Sequence, residues 1–405
     1  MALPISKLKP FGLVKNKSFS ILVASTFLLS IANKIYELLL PLIMYELTHS
    51  TIVVSTMRTA ELLPNLLFGI FIGVIVDRVN KKRWVLWMIG SQAVLLFAMA
   101  YLIKTNTNLL FTYYTIGFLL MTFSYGYFNA QISLIKTTVP EGKLTAANAK
   151  FSFIDTFVTI MGPIISGFIL LLPFLYDGLL LTSIVYLISF LLLTQLKLPN
   201  TEINRNKEPF LNELKNGWMS FIKNKSLFTM TLFIIFLNCS FTVVSIMVII
   251  FAKEELNLSS SAVAMIMSAS GIGGIIASTM VARLREKIGI GKLLGMTAVI
   301  NAIGYLGLFL SNKTYLLLIS LFIIGFAGAI YGVCAYTFRL EQTPSELIGR
   351  ITGITGTLFR LGMPVAMYLS GFLVEWWGTS TIFLASFILN ILVFLVYTRT
   401  FLWKM

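Results

Sequence analysis

Six ionisable side chains, Lys34, Glu37, Arg58, Glu61, Asp155 and Arg360, stand in stretches that are otherwise apolar. A charge at the centre of a bilayer costs about 2.5–3.5 kcal/mol on insertion scales, so six of them facing lipid is untenable. They are expected to face the interior or a wet cavity. There they either pair and hold helices together, or take up and release a proton. Lys34 and Glu37 are three residues apart, as are Arg58 and Glu61, and residues at that spacing meet on one helix face. If the two stretches are antiparallel neighbours, a rise of about 1.5 Å per residue puts Lys34 and Glu61 about 2–4 Å outside the midplane. Glu37 and Arg58 fall about 7–8 Å outside it on the same rise. Depth therefore predicts Lys34 with Glu61 and Glu37 with Arg58. The local pairs stay open, and all four groups can merge into one cluster. A carboxylate that loses its cation to a ligand takes a proton more easily. Glu61 is the better-placed carrier because it lies nearer the midplane, and Asp155 is next if the cluster is only structural. His49 falls in a short connection and reads as a surface histidine, and Glu46 and Glu375 lie near span ends where carboxylates reach water.

The elements that must carry these charges follow from composition. Of 405 residues 57% are hydrophobic and 12% charged, whereas soluble domains run about 25% charged. Runs such as Trp84–Ile103 and Leu109–Ile135 carry no charge, and roughly 20 helical residues cross a hydrocarbon core. The chain reads as an all-α polytopic membrane protein with twelve transmembrane helices. These are expected near 18–47, 51–76, 84–103, 109–135, 151–172, 178–196, 227–252, 260–282, 293–310, 314–338, 351–374 and 378–398. One long polar connection, residues 197–226, separates a six-helix bundle over 1–196 from a second over 227–405. The N-terminal stretch has lysines but no small-residue cleavage site, so the first apolar run is expected to be a span and not a cleaved leader.

Of the 31 Lys and Arg residues, 25 fall in the termini and even-numbered connections and 3 in the odd-numbered ones. Cytoplasmic loops are enriched in these residues, which predicts cytoplasmic termini. The net charge of +15 has the same origin. Spread over seven short segments, it does not form a nucleic-acid-binding face. Cys239 and Cys334 lie in apolar runs, there is no His/Cys metal cluster, and "SASGIGGIIAS" lacks the ending of a phosphate loop. No enzyme chemistry, cofactor or metal is expected; that glycine-rich run reads as close helix packing.

The halves resemble each other. Shifted by 204 residues, "PEGKLTAANAKFSFIDTFVTIMGPIISGF" from Pro140 lies on "PSELIGRITGITGTLFRLGMPVAMYLSGF" from Pro344, with Pro140 on Pro344 at the start and Ser166-Gly167-Phe168 on Ser370-Gly371-Phe372 at the end. Six helices preserve orientation, so the repeat is parallel, about an axis along the membrane normal. Between spans two and three, "GVIVDRVNKKR" places Gly73, Asp77, Arg78, Lys81 and Lys82 in a pattern that resembles the signature loop of the major facilitator superfamily. The sequences "PEGKLTAANA", "GPIISG" and "IGRITGITGTLFRLGMPVAMYLSGF" are similar to its bacterial drug-efflux branch, which includes macrolide exporters and the enterobactin exporter. The resemblance implies two pseudo-symmetric bundles in the major facilitator fold and a latch between halves at Asp77 and the neighbouring cations; the alternative is a charge cluster that only sets topology. It also implies proton-exchanging export from Gly162, Pro163 and Gly167, against a bland reading as helix packing. The family pattern's earlier glycine is Val158 here. The Arg that many drug–proton antiporters carry in span four is also missing, with Leu120 or Met121 in its place.

The expectation is a proton-coupled antiporter that exports amphipathic organic compounds by alternating access, monomeric, in a bacterial cytoplasmic membrane. Its partners are a small organic substrate, protons and the lipid bilayer. The alternatives are a dedicated exporter of a siderophore or other endogenous metabolite, and a lipid-handling or sensing protein without ion coupling.

Overall fold

The structure, a computed structural model, describes residues 16–105, 107, 109–139, 144–169, 172–198, 210–343 and 348–405. Regular structure among these residues is entirely helical. The first half holds α1 (Lys17–Thr48), α2 (Thr51–Arg78), α3 (Lys81–Lys104), α4 (Leu110–Thr138), α5 (Leu144–Ile169) and α6 (Leu175–Thr194). A helix of the connection, α7 (Phe210–Lys223), leads to α8 (Lys225–Glu254), α9 (Ser260–Ile288), α10 (Ile290–Phe309) and α11 (Thr314–Glu341). The eleventh span comes in two pieces, α12 (Ile348–Leu358) and α13 (Met363–Trp377), and α14 (Thr379–Thr398) closes the bundle. Among the described residues nine segments are long and apolar enough to cross a membrane, with 351–377 taken as one. The helices α2, α4 and α5, of 28, 29 and 26 residues, complete the twelve.

Local chemistry sets the helix starts. Asn16, Ser50, Asn80, Asn224 and Ser259 each accept, through the side chain, from the backbone N–H three residues on. That satisfies one of the donors a helix leaves open at its start. Gly378 has φ 78°, which only glycine adopts without strain, and turns the chain directly from α13 into α14.

Three features depart from the sequence reading. The fifth helix begins at Leu144, seven residues before its expected start, because its first turns protrude past the apolar run. The polar connection contains α7, an amphipathic helix that buries Phe221 and exposes Trp218, Met219 and Ile222. The eleventh span is interrupted over residues 359–362.

Within the first half α2 packs on α4, α3 on α6, and α1 on α5 and α6; in the second, α9 packs on α11, and α10 on α11 and α14. Gly273 and Gly325 bring the α9 and α11 backbones together: a Cβ at either would collide with a main-chain oxygen of the other helix, of Phe322 or Ser270. The halves meet along α2 against α13 and α5 against α9. One apolar core runs across both halves, joining Leu42 and Ile43 of α1 to Val248 and Phe251 of α8 and to Phe383 of α14. A separate core, with Leu227, Met230, Phe338 and Tyr397, belongs to the second half alone, at the face that carries the ends of α1 and α14 where the chain begins and finishes.

Candidate functional site

The first two helices build a chain of ions. Lys34 Nζ donates to Glu37 Oε2 at 2.6 Å, and Arg58 Nη2 donates to Glu37 Oε1 at 2.7 Å. Arg58 Nη1 donates to Glu61 Oε2 at 2.9 Å. Glu37 thus pairs with Arg58 as depth predicts. Lys34 does not pair with Glu61; it takes the local partner three residues on. Its methylene stem is the reason: a Cβ on Gly162 would come within 3.0 Å of Lys34 Cγ, so α5 presses the stem from one side. Ser166 Oγ donates to the Lys34 carbonyl at 3.3 Å and fixes α5 on α1 one turn further along.

Burial is uneven along the chain. Lys34 and Glu37 side chains are 38% and 39% exposed, Arg58 is 9% exposed and Glu61 only 1%. Glu61 Oε1 and the Tyr36 hydroxyl are both buried without a hydrogen-bond partner among the described residues. The Tyr36 hydroxyl lies beside that carboxyl. Gly117 of α4 leaves room for Met57, whose methyl end a Cβ there would strike, and lies within ordinary contact of Glu61. Proline lies beside the cluster in both helices, Pro41 in α1 and Pro64 in α2. Each removes one backbone N–H from the helix ladder, four residues after Glu37 and three after Glu61.

The second half places Arg360 in the interruption of the eleventh span. With the Asn65 amide turned so that both groups are satisfied, its oxygen accepts from Arg360 Nη1 at 2.6 Å and Nε at 3.2 Å. The guanidinium also lies 5.4 Å from the centre of the Tyr125 ring. Asn65 and Tyr125 belong to α2 and α4, so Arg360 reaches across to the first half. The interruption has its own support: Asn238 Nδ2 donates to the Phe359 carbonyl at 2.9 Å, and the Tyr331 hydroxyl donates to Asn238 Oδ1 at 2.8 Å. Non-helical backbone at membrane depth is tolerated where protein groups or a wet cavity satisfy it.

Asp155 is exposed and has no ion pair or hydrogen bond among the described residues. It lies seven residues before Gly162 on nearly the same face of α5. Of Gly73, Asp77 and Arg78 only the backbone is described, in the last turns of α2, and the loop proper shrinks to Val79 and Asn80. Lys81 opens α3, and Lys82 Nζ donates to the Thr194 carbonyl at 2.7 Å, a contact within the first half. Pro163 and Gly167 lie in the unbroken α5, and nothing beyond their backbone is described.

Among the described residues, the hydrogen bonds between the halves lie at mid-depth or on the face away from the termini. The Tyr45 hydroxyl donates to Glu254 Oε1 at 2.7 Å, and Lys253 Nζ and Ser260 Oγ both donate to Glu46 Oε1 at 2.8 Å. Thr51 Oγ1 donates to the Gly371 carbonyl at 3.2 Å.

The sequence model of the Major Facilitator Superfamily matches residues 22–250 and 233–404. The chain belongs to the major facilitator superfamily. This facilitator is a multi-pass membrane transporter of small substrates, not an enzyme. A D-xylose transporter of Levilactobacillus brevis is 27% identical to it over 132 residues, 32% of this chain; the match spans under a third of that relative, 29% of its length. A variant of the nucleoside transporter NupG has the same fold, with a TM-score of 0.79 at 14% identity over 95% of this chain and all of that one. So does a bacterial homologue of the iron transporter ferroportin in an inward-facing state, with a TM-score of 0.71 at 13% identity over 95% and 99% of the two chains. By name these are a sugar transporter, a nucleoside transporter and a homologue of an iron transporter.

Sequence reasoning missed the neutral groups around the charges: Tyr36, Asn65, Tyr125, Asn238 and Tyr331. The signal available was an isolated amide or phenol inside an apolar run, and nothing in one sequence distinguishes such a residue from a core hydroxyl.

Proposed function

We propose that this facilitator exports amphipathic organic compounds from a bacterial cell in exchange for protons. It would work by alternating access, as a monomer in the cytoplasmic membrane, with both termini cytoplasmic. The observation that carries this reading is Glu61. One of its oxygens is held by Arg58, the other is buried beside Tyr36 without a partner, and the far end of the same ion chain is open at Lys34 and Glu37. A ligand that draws on the open end weakens the hold of Arg58 on Glu61, and the carboxyl takes a proton at Oε1. Proton and substrate thus compete through one chain of ions. The segment from Gly73 through Asp77 and Arg78 to Lys81 and Lys82 would act as the latch between the halves, and the Gly162–Pro163–Gly167 segment as the bearing on which α1 turns against α5.

The test is efflux of fluorescent compounds in everted vesicles. Dissipating the proton gradient at constant ATP is expected to collapse transport, and transport that survives the uncoupler unchanged overturns the exchange. A second reading, a carrier dedicated to one polar or charged metabolite, is supported by the fixed charges of the site and by the solutes in the relatives' names. A single accepted compound from a broad panel would favour it.

A further inference from the structure

Lys34 and Arg58 are each neutralised by a carboxylate within 2.9 Å or less. Arg360 is not: among the described residues no carboxylate lies within ion-pair distance of it. It is nevertheless fixed in place. Two of its N–H groups go to Asn65 and its central carbon lies 5.4 Å from the centre of the Tyr125 ring, and it projects from the interrupted stretch of the eleventh span, exposed. A guanidinium has five donors in a planar fork that matches an anionic oxygen pair. Three of them remain for another partner. A cation held at this depth without a carboxylate favours an anion that comes within reach of it.

Position reinforces the argument. Arg360 sits between the halves, with its backbone in the second half and its contacts in the first. Asn65 is one turn of α2 from Glu61, so an anion on Arg360 comes to rest beside the ion chain. The Tyr125 ring offers an apolar face next to the charge.

Resting on the transporter reading above, we infer that Arg360 is the anchor for an acidic group of the transported ligand, a carboxylate or its equivalent on an amphipathic body that lies along Tyr125. Asn65 is the positioning residue that aims the fork. The acid belongs either to a soluble compound or to a lipid headgroup.

The experiment is equilibrium binding to the full chain in nanodiscs of phosphatidylcholine. It compares dansyl-leucine, its methyl ester and dansyl-cadaverine, which share a fluorophore and differ in charge. The wild type is expected to bind the acid at least about tenfold more tightly than the ester, the gain of one charge-assisted hydrogen bond. Arg360→Gln removes that preference and leaves the ester unchanged, while Arg360→Lys keeps part of it, because the ammonium has the charge without the fork. Displacement of the acid by phosphatidylglycerol in the disc, seen in the wild type and absent in Arg360→Gln, assigns the acid to a lipid; no displacement assigns it to a soluble compound. Equal affinity for acid and ester in the wild type overturns the anchor, as does an equal loss of both in Arg360→Gln. An acid preference that stands while efflux ignores the uncoupler removes the proton-driven reading and keeps the anchor.

Discussion

The 204-residue repeat sets Lys34 of α1 on Asn238 of α8, and the two residues do opposite work. Lys34 joins an ion chain that runs through two unbroken helices. Asn238 holds the Phe359 carbonyl of a broken one. Tyr331 backs Asn238, donating to it at 2.8 Å, whereas in the first half Tyr186 donates to the neighbouring residue, Asn33, at 2.6 Å. On the partner helices Gly162 falls on Ala366, and the continuous α5 falls on the divided α12 and α13. The halves share a scaffold but have divided their labour: the first concentrates charge in regular backbone, and the second keeps neutral amides, opens its backbone and offers one cation. On the proposed function, the charges that exchange a proton are held at fixed distances by regular helices, and the segment that meets the ligand has backbone groups not committed to a helix.

The largest effect expected from this contrast is at Arg58. Arg58→Ala leaves Glu37 and Glu61 facing each other without their shared cation, and breaking a buried pair costs about 3–5 kcal/mol. Asn238→Ala leaves one carbonyl short of a donor and costs about 1–3 kcal/mol. Thermal unfolding in detergent should therefore show the Arg58 variant melting well below the Asn238 variant; the reverse order would mean that the ion chain is dispensable to the fold. Next come the carboxylates. Glu61→Gln should abolish uphill efflux driven by a proton gradient while downhill flux persists, and Glu37→Gln should lower apparent substrate affinity with coupling intact. If both variants keep normal uphill efflux, the chain is structural and coupling belongs to Asp155. The smallest effect separates the bearing surfaces. Gly162→Ala crowds the flexible Lys34 stem and should slow transport modestly at equal expression. The converse change, Ala366→Gly, should cost about 0.5–1 kcal/mol of helix stability without touching the ions. Equal transport in the two variants would erase the distinction between the halves at this position.

Much of this was legible in the sequence, and the limits have physical causes. The twelve spans, their division and the gathering of charge in spans one and two follow from apolar runs long enough to cross a bilayer. Depth alone found Glu37 with Arg58, because both side chains project between α1 and α2. It failed for Lys34, whose stem is steered by a third helix that residue counting along two cannot see. The interruption at Phe359–Gly362 carries Gly and Pro signals, yet Pro41, Pro64 and Pro163 stand in helices that continue. What decides the difference is whether a neighbour such as Asn238 is there to take the freed carbonyl, and that is a tertiary fact. The helix α7 was hidden because its apolar residues, half of its fourteen, are interleaved with Asn, Lys and Glu and gather on one face only when the stretch is helical.

The junction away from the termini sets an energetic scale for the whole molecule. Its ion pair, Lys253 with Glu46, is partly exposed, and such pairs contribute about 0–1 kcal/mol. The hydroxyl bonds of Tyr45, Ser260 and Thr51 add about 0.5–1.5 kcal/mol each. Reversing a two-state population from 1:99 to 99:1 takes about 5.5 kcal/mol of differential binding. The polar lock on that face is thus of the same order as what one well-held ligand supplies. The polar part of the lock is within the reach of one ligand, while the apolar contacts of Leu42 and Ile43 with Val248 and Phe251 hold the same face together by burial.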